Sequence, residues 1–194
     1  MRFLLRTLQV LIALALVAAV ALWFGARRGD RGFIEEEVTI ARPASAVFRW
    51  ISSEELARRW ISDVLELRKL DSGGAQSGTF RLAQLVNGHR VGMNLRIVRS
   101  VPGQELSFLI SSGESGSEGF SGDATFKLIA NGEYTRLVFT SHAQFVSESD
   151  RIFEPVLTIA TQRKMHDDLQ RLKLLAEAEP SNLRSLSQIG RAHV

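Results

Sequence analysis

The 194-residue sequence contains no cysteine, and this absence removes a whole class of chemistry. Disulfide bridges, thiolate nucleophiles and cysteine-bound zinc or iron–sulfur centres are all excluded. A glycine-rich phosphate loop, a paired-histidine zinc motif and the serine elbow of hydrolases are also missing from the sequence. We therefore expect no metal and no cofactor, so any catalysis would depend on scattered polar side chains.

A basic surface is lacking as well, although the pI of about 9.8 suggests one. Seven of the arginines lie outside residues 33–180, and that range has three more acidic than basic residues. A nucleic-acid face needs clustered Lys and Arg, and no such cluster is visible. We expect no nucleic-acid partner, and the sequence leaves the oligomeric state open.

Residues 7–26 form the longest run without a charged residue. About 20 apolar residues suffice for a helix that crosses a bilayer, so we predict a transmembrane helix or signal anchor between a short basic N-terminus, 1–6, and a linker, 27–32. A signal peptide cleaved near Ala19–Ala21 is the alternative. The arginine-rich, alanine-rich composition points to a bacterium. We expect a single-pass protein of the bacterial inner membrane whose domain lies outside the cytoplasm.

The domain begins with a strand and two short helices. Residues 33–40 alternate as a strand, and Pro43 suits the start of a helix over 44–51. Ser52 and Glu55 have capping-box spacing, which predicts that a second helix starts there and ends near Trp60. Trp50 and Trp60 are assigned to the core, because large aromatic side chains mainly supply buried area.

Six strands and a long helix are predicted to follow. Asn87-Gly88 and Asn131-Gly132 are typical two-residue hairpin turns, and Pro102-Gly103 marks a third turn. The predicted strands cover 64–70, 78–86, 89–101, 105–111, 120–130 and 133–145. The final helix is expected to start at Ser149 or Asp150, with Pro155 near its first turn, and to stop at Pro180.

Residues 180–194 are expected to be a disordered tail. Its last six residues, IGRAHV at 189–194, match the translation of one frame of a common sequencing adapter. We interpret them as a sequencing artefact and exclude them from the fold.

The order of these elements, the stretch VTIARPASAVF at 38–48, Trp60 and the pattern from Met165 to Lys173 carry a family resemblance. Residues 33–179 resemble the SRPBCC or START-like superfamily, also called helix-grip or Bet v 1-like, and in particular its polyketide cyclase/dehydrase and lipid-transport group. The resemblance implies an α+β fold in which a curved antiparallel sheet of about seven strands wraps a long C-terminal helix, with two short helices after strand 1. It also implies an internal cavity for an apolar ligand.

Alternation along the strands and the 3.5-residue spacing of the last helix predict which side chains would line such a cavity. The predicted lining residues are Val91, Met93, Leu95, Ile97, Phe108, Phe126, Leu137, Phe139, Met165, Leu169 and Leu172.

Few polar residues are candidates for a catalytic or ligand-binding site. His166, beside Met165, is the best catalytic candidate, whereas His89 and His142 are expected at the surface. Asp167 and Asp168 are assigned to the solvent-facing side of the helix. Arg96 and Arg99 could hold an anionic head group, but a surface role is the simpler interpretation.

Three functions remain open. The first is a membrane-tethered, non-enzymatic domain that holds a small hydrophobic ligand such as a lipid or polyketide-like molecule. The second is an aromatase/cyclase-type enzyme that acts in the same cavity, and the third is a protein-interaction module of the co-chaperone kind. A fold by itself does not separate these functions.

Overall fold

The structure is a computed structural model that describes residues 32–71, 77–86, 88–112, 120–145 and 148–179. Residues 1–31, which include the predicted transmembrane helix at 7–26, lie outside these residues, as do Asn87, the tail at 180–194 and the side chains of Val86, His89 and residues 148–155. Among the described helices, none is both long and apolar enough to cross a membrane.

Seven strands and three helices make up the described fold. In chain order they are β1 Phe33–Ile40, α1 Ala44–Ser52, α2 Glu54–Trp60, β2 Val64–Lys69, β3 Thr79–Val86, β4 His89–Val101, β5 Glu105–Ser112, β6 Phe120–Asn131, β7 Tyr134–Phe145 and α3 Glu148–Ala178.

All seven strands join one antiparallel sheet in the order β1-β7-β6-β5-β4-β3-β2. Tight turns connect three of the six neighbouring pairs, β3–β4, β4–β5 and β6–β7. Gly88 (φ 79°) and Gly132 (φ 61°) adopt the left-handed conformation that two-residue hairpin turns require. The first strand, β1, pairs with the last, β7, at one edge of the sheet. The predicted α+β fold, with seven strands and a long C-terminal helix, is confirmed.

The helices α2 and α3 begin at different residues from those predicted. Ser53, not Ser52, caps α2 by accepting a hydrogen bond from the Leu56 amide at 3.4 Å. The predicted capping box is therefore wrong by one residue, because Ser52 is still the last helical residue of α1. The last helix, α3, begins at Glu148, before the predicted caps, so Pro155 lies beyond its first turn.

The core lies where α1, α2 and the C-terminal half of α3 pack on the sheet. Leu169, Leu172 and Leu137 are at most 1% exposed. Trp50 and Trp60 are 2% and 3% exposed, which confirms their assignment to the core. The Trp60 indole Nε1 donates to the Trp50 carbonyl at 3.0 Å, so the burial of Trp60 leaves its N–H satisfied.

Arg42 holds the C-terminal end of α3. Its Nε donates to the Ala176 carbonyl at 2.8 Å, and its Nη2 donates to the carbonyls of Glu177 and Glu179. The last carbonyls of a helix lack partners within the helix, and a guanidinium satisfies them and favours the negative end of the helix dipole. The Arg42 carbonyl in turn accepts from Thr135 at 2.7 Å. This contact set, the Arg42 clamp, ties the end of α3 to the segment between β1 and α1.

Candidate functional site: an apolar cavity between sheet and helix

A cavity of about 440 Å³ lies between one face of the sheet and α3. Successive side chains of a strand point to opposite faces, so every second residue of the central strands reaches this space. On the sheet side the wall includes Phe80, Leu82, Val91, Met93, Leu95, Ile97, Leu106, Phe108, Ile110, Phe120, Ala124, Phe126, Phe139, Ala143 and Phe145. The short helices close the cavity with Ile51, Ala57 and Trp60, and Ile61 directly after α2 adds to this wall.

Most of the predicted lining set borders this cavity. The structure places eight of the eleven residues in its wall: Val91, Met93, Leu95, Ile97, Phe108, Phe126, Phe139 and Met165. The other three, Leu137, Leu169 and Leu172, are buried in the core and do not border the space. They lie where the C-terminal half of α3 packs directly on its neighbours, whereas the stretch from Leu157 to Met165 borders the cavity.

Polar residues of α3 that the sequence analysis did not select also border the cavity: Thr158, Thr161, Lys164 and Asp168. Thr158, Thr161 and Asp168 share a helical face with Met165, because residues three or four positions apart are neighbours on a helix surface. Their helical spacing from Met165 could therefore have identified these residues in the sequence as lining the cavity. The helix side of the cavity is more polar than the sheet side.

Lys164 and Asp168 form the charged part of this wall. The Lys164 ammonium lies 2.8 Å from Asp168 Oδ2, and the side chains are 16% and 3% exposed. The amide of Ser62, in the turn after α2, donates to Asp168 Oδ1 at 2.9 Å. The expectation that Asp168 faces solvent is wrong, although Asp167 is exposed. A carboxylate tolerates such burial when it is paired and hydrogen-bonded.

His166 does not lie at the cavity. Its side chain is 52% exposed, and its Nδ1 is 3.0 Å from Glu36 Oε2 of β1. His166 therefore reaches from α3 to Glu36 on β1 and is not part of the cavity wall. His142 borders both the cavity and a polar depression on the opposite face of the sheet, where Asp123 and Gln144 also lie.

The arginines considered for an anionic head group lie elsewhere. Arg99 pairs with Glu105 at 3.1 Å and is 63% exposed. Arg96 borders the polar depression on the outer face, not the cavity. Within the described part of the chain, no three acidic or histidine side chains come together in a way that could hold a metal ion.

Comparison with solved structures supports this architecture. A START superfamily protein from Mycobacterium smegmatis matches with a TM-score of 0.62 and 14% identity over 75% of this chain and 97% of its own. The Zhui aromatase/cyclase from Streptomyces sp. R1128 matches with a TM-score of 0.64 and 18% identity over 75% and 93%. A protein from Thermus thermophilus gives a TM-score of 0.64 and 18% identity over 76% and 99%. At these identities the matches show a shared fold.

Sequence comparison is more specific. None of the curated proteins matches the chain. The family described as polyketide cyclase / dehydrase and lipid transport matches residues 33–177, which is most of the sequence and nearly all of the described fold. The chain therefore belongs to the polyketide cyclase/dehydrase and lipid-transport family of the START-like, or SRPBCC, superfamily.

Proposed function

We propose that this protein is a non-enzymatic binding domain that holds a small hydrophobic ligand, lipid-like or polyketide-like, between the sheet and α3. The observation that carries the proposal is the cavity: its volume of about 440 Å³ and its apolar sheet wall. Ligand pockets typically measure about 300–1,000 Å³ and combine apolar walls with a few polar groups that orient the ligand. A side-chain-filled core would not leave this space.

The polar groups of the wall favour binding over catalysis. General acid–base catalysis needs a titratable group within hydrogen-bond reach of the reacting atoms. His166 is turned away, and Lys164 and Asp168 are bonded to each other and to Ser62. These contacts leave the Lys164 ammonium and the Asp168 carboxylate occupied by each other and by Ser62.

The same proposal includes a tether. Residues 7–26 would hold the domain at a bacterial inner membrane, on the side away from the cytoplasm. Tethering confines the domain to a thin layer next to the bilayer, which raises its effective concentration for ligands that partition into lipid. The membrane-bound domain would then accept or deliver an apolar molecule while staying next to the bilayer.

An aromatase/cyclase-type enzyme is the second candidate, and one observation favours it. The wall does contain a titratable pair, Lys164 and Asp168, beside a space large enough for a substrate. In that role the pair would move a proton while the cavity folds a reactive chain. The two candidates differ in outcome: a carrier releases the molecule that it bound, and an enzyme releases a changed one.

The test is to express the full chain in bacteria, purify it in a mild detergent, and record native mass spectra followed by organic extraction. A stoichiometric apolar adduct that is recovered unchanged after incubation supports the carrier. Conversion of an added candidate to a new mass supports the enzyme. A ligand-free mass in preparations from several hosts would count against the carrier, and the absence of any conversion would count against the enzyme.

A further inference from the structure

The cavity wall carries few charges, and they do not favour an anion. Among the lining residues that the structure describes, the charged side chains are Glu54, Lys164 and Asp168. Glu54 also pairs with Arg58 on the outer side of α2 at 3.0 Å. Lys164 is therefore the one lysine or arginine in the described wall that could receive a carboxylate, phosphate or sulfonate.

Lys164 has no hydrogen left to offer. An ammonium has three N–H donors. They are directed at the Ser62 carbonyl at 3.0 Å, the Ser62 hydroxyl at 2.7 Å and Asp168 Oδ2 at 2.8 Å. A ligand anion would have to displace Ser62 or Asp168 to reach Lys164, and Asp168, itself almost fully buried, would repel it.

This arrangement has a consequence for ligand chemistry. Moving a charged group out of water into an apolar site is costly unless an opposite charge compensates it. In this cavity the positive charge of Lys164 is already neutralised by Asp168. Neutral polar groups meet no such obstacle, because Thr158 and Thr161 place hydroxyls along the helix side of the cavity.

We propose that the cavity selects neutral apolar ligands, with at most hydroxyl or carbonyl groups, and discriminates against molecules with an anionic head group. This inference rests on the proposed binding function and narrows it to a chemical class. Asp168 is the residue that sets this selectivity, because its carboxylate neutralises Lys164, the only lysine or arginine in the described wall.

The test uses two probes that share one ring system. N-phenyl-1-naphthylamine is neutral, and 8-anilino-1-naphthalenesulfonate carries a sulfonate. Each is titrated into the full chain in non-ionic detergent, and binding is read as energy transfer from tryptophan, with a protein-free micelle blank subtracted; Trp60 borders the cavity. We expect the neutral probe to bind at least about tenfold more tightly, since the sulfonate would enter without a counter-charge.

Two variants of adjacent residues complete the test. Asp168→Asn keeps the shape and an acceptor oxygen but leaves the Lys164 charge uncompensated, so the preference for the neutral probe should fall by about tenfold. Asp167→Asn removes the same charge from an exposed position of the same helix and should leave the preference unchanged.

Each outcome of this test either supports or overturns the inference. Equal or tighter binding of the sulfonate by the native chain overturns the inference while leaving the binding function intact. A folded Asp168→Asn variant with an unchanged preference also overturns it. Binding of neither probe would remove the binding function and this inference together. Should Asp168→Asn fail to fold, the preference of the native chain decides alone.

Discussion

The Arg42 clamp makes a quantitative prediction about stability. Replacing Arg42 by Met keeps most of the aliphatic stem and removes the guanidinium that bonds the carbonyls of Ala176, Glu177 and Glu179. Hydrogen bonds that involve a charged group contribute about 1.5–3 kcal/mol each, and partial exposure of this site reduces the sum, so we expect a loss of about 2–4 kcal/mol. For a domain of this size the melting temperature should fall by roughly 5–15 °C.

Arg49 supplies the matched control. It also contacts the end of α3, through Glu179 at 2.7 Å, but this pair is exposed on both sides, at 48% and 37%. Exposed ion pairs contribute at most about 1 kcal/mol, so Arg49→Met should lower the melting temperature by no more than about 4 °C. Far-UV circular dichroism melts of both variants provide the comparison. Equal shifts for the two variants would refute the clamp, because its strength depends on capping the helix carbonyls.

Two further predictions concern charges on α3 and β2. Asp168→Ala leaves the buried Lys164 charge without a partner and should lower the free energy of unfolding in urea by about 2–4 kcal/mol. Asp167→Ala should change it by no more than about 0.5 kcal/mol. Similar losses for the two variants would contradict the burial argument. On β2, a hydrogen bond from Arg68 holds the pKa of Glu66 below its usual value, so the stabilisation from this carboxylate is present above the usual pKa of a glutamate and is lost as pH falls through the lowered pKa. Glu66→Gln should therefore flatten the acid side of a melting-temperature profile, and an unchanged profile would contradict the pairing.

The fold was largely predictable because local signals agree along the chain. Alternating strands joined at Gly88 and Gly132 require antiparallel pairing, and an antiparallel sheet with one apolar face needs a cover, which only the last helix is long enough to provide. Helix boundaries were less predictable. Ser52 and Ser53 are both good caps, and the choice between them depends on where α1 ends, which tertiary packing decides.

The site was predictable only in part, for a geometric reason. Met165, Leu169 and Leu172 belong to one apolar stripe, yet Met165 borders the cavity while the two leucines are packed in the core. Sequence periodicity gives the face of a helix but not where along its length the helix separates from the sheet. Asp168 was misassigned because a pairing with Lys164, four residues earlier on the same helix, does not reveal burial, and its other partner, Ser62, lies 106 residues away in the sequence.

The central claim is that the space between sheet and helix binds an apolar molecule. Ala124 is 4% exposed and borders this space, opposite Phe108 on the neighbouring strand. Ala124→Trp should fill part of the 440 Å³ cavity, while Leu109→Trp adds an indole to a position that is 40% exposed and does not border the cavity. The most direct measurement is the binding of N-phenyl-1-naphthylamine to both variants, with circular dichroism to verify folding. We expect Ala124→Trp to lose at least about tenfold in affinity and Leu109→Trp to bind like the native chain, since only the indole at position 124 occupies the space that the ligand needs. Full binding by a folded Ala124→Trp variant would contradict the account.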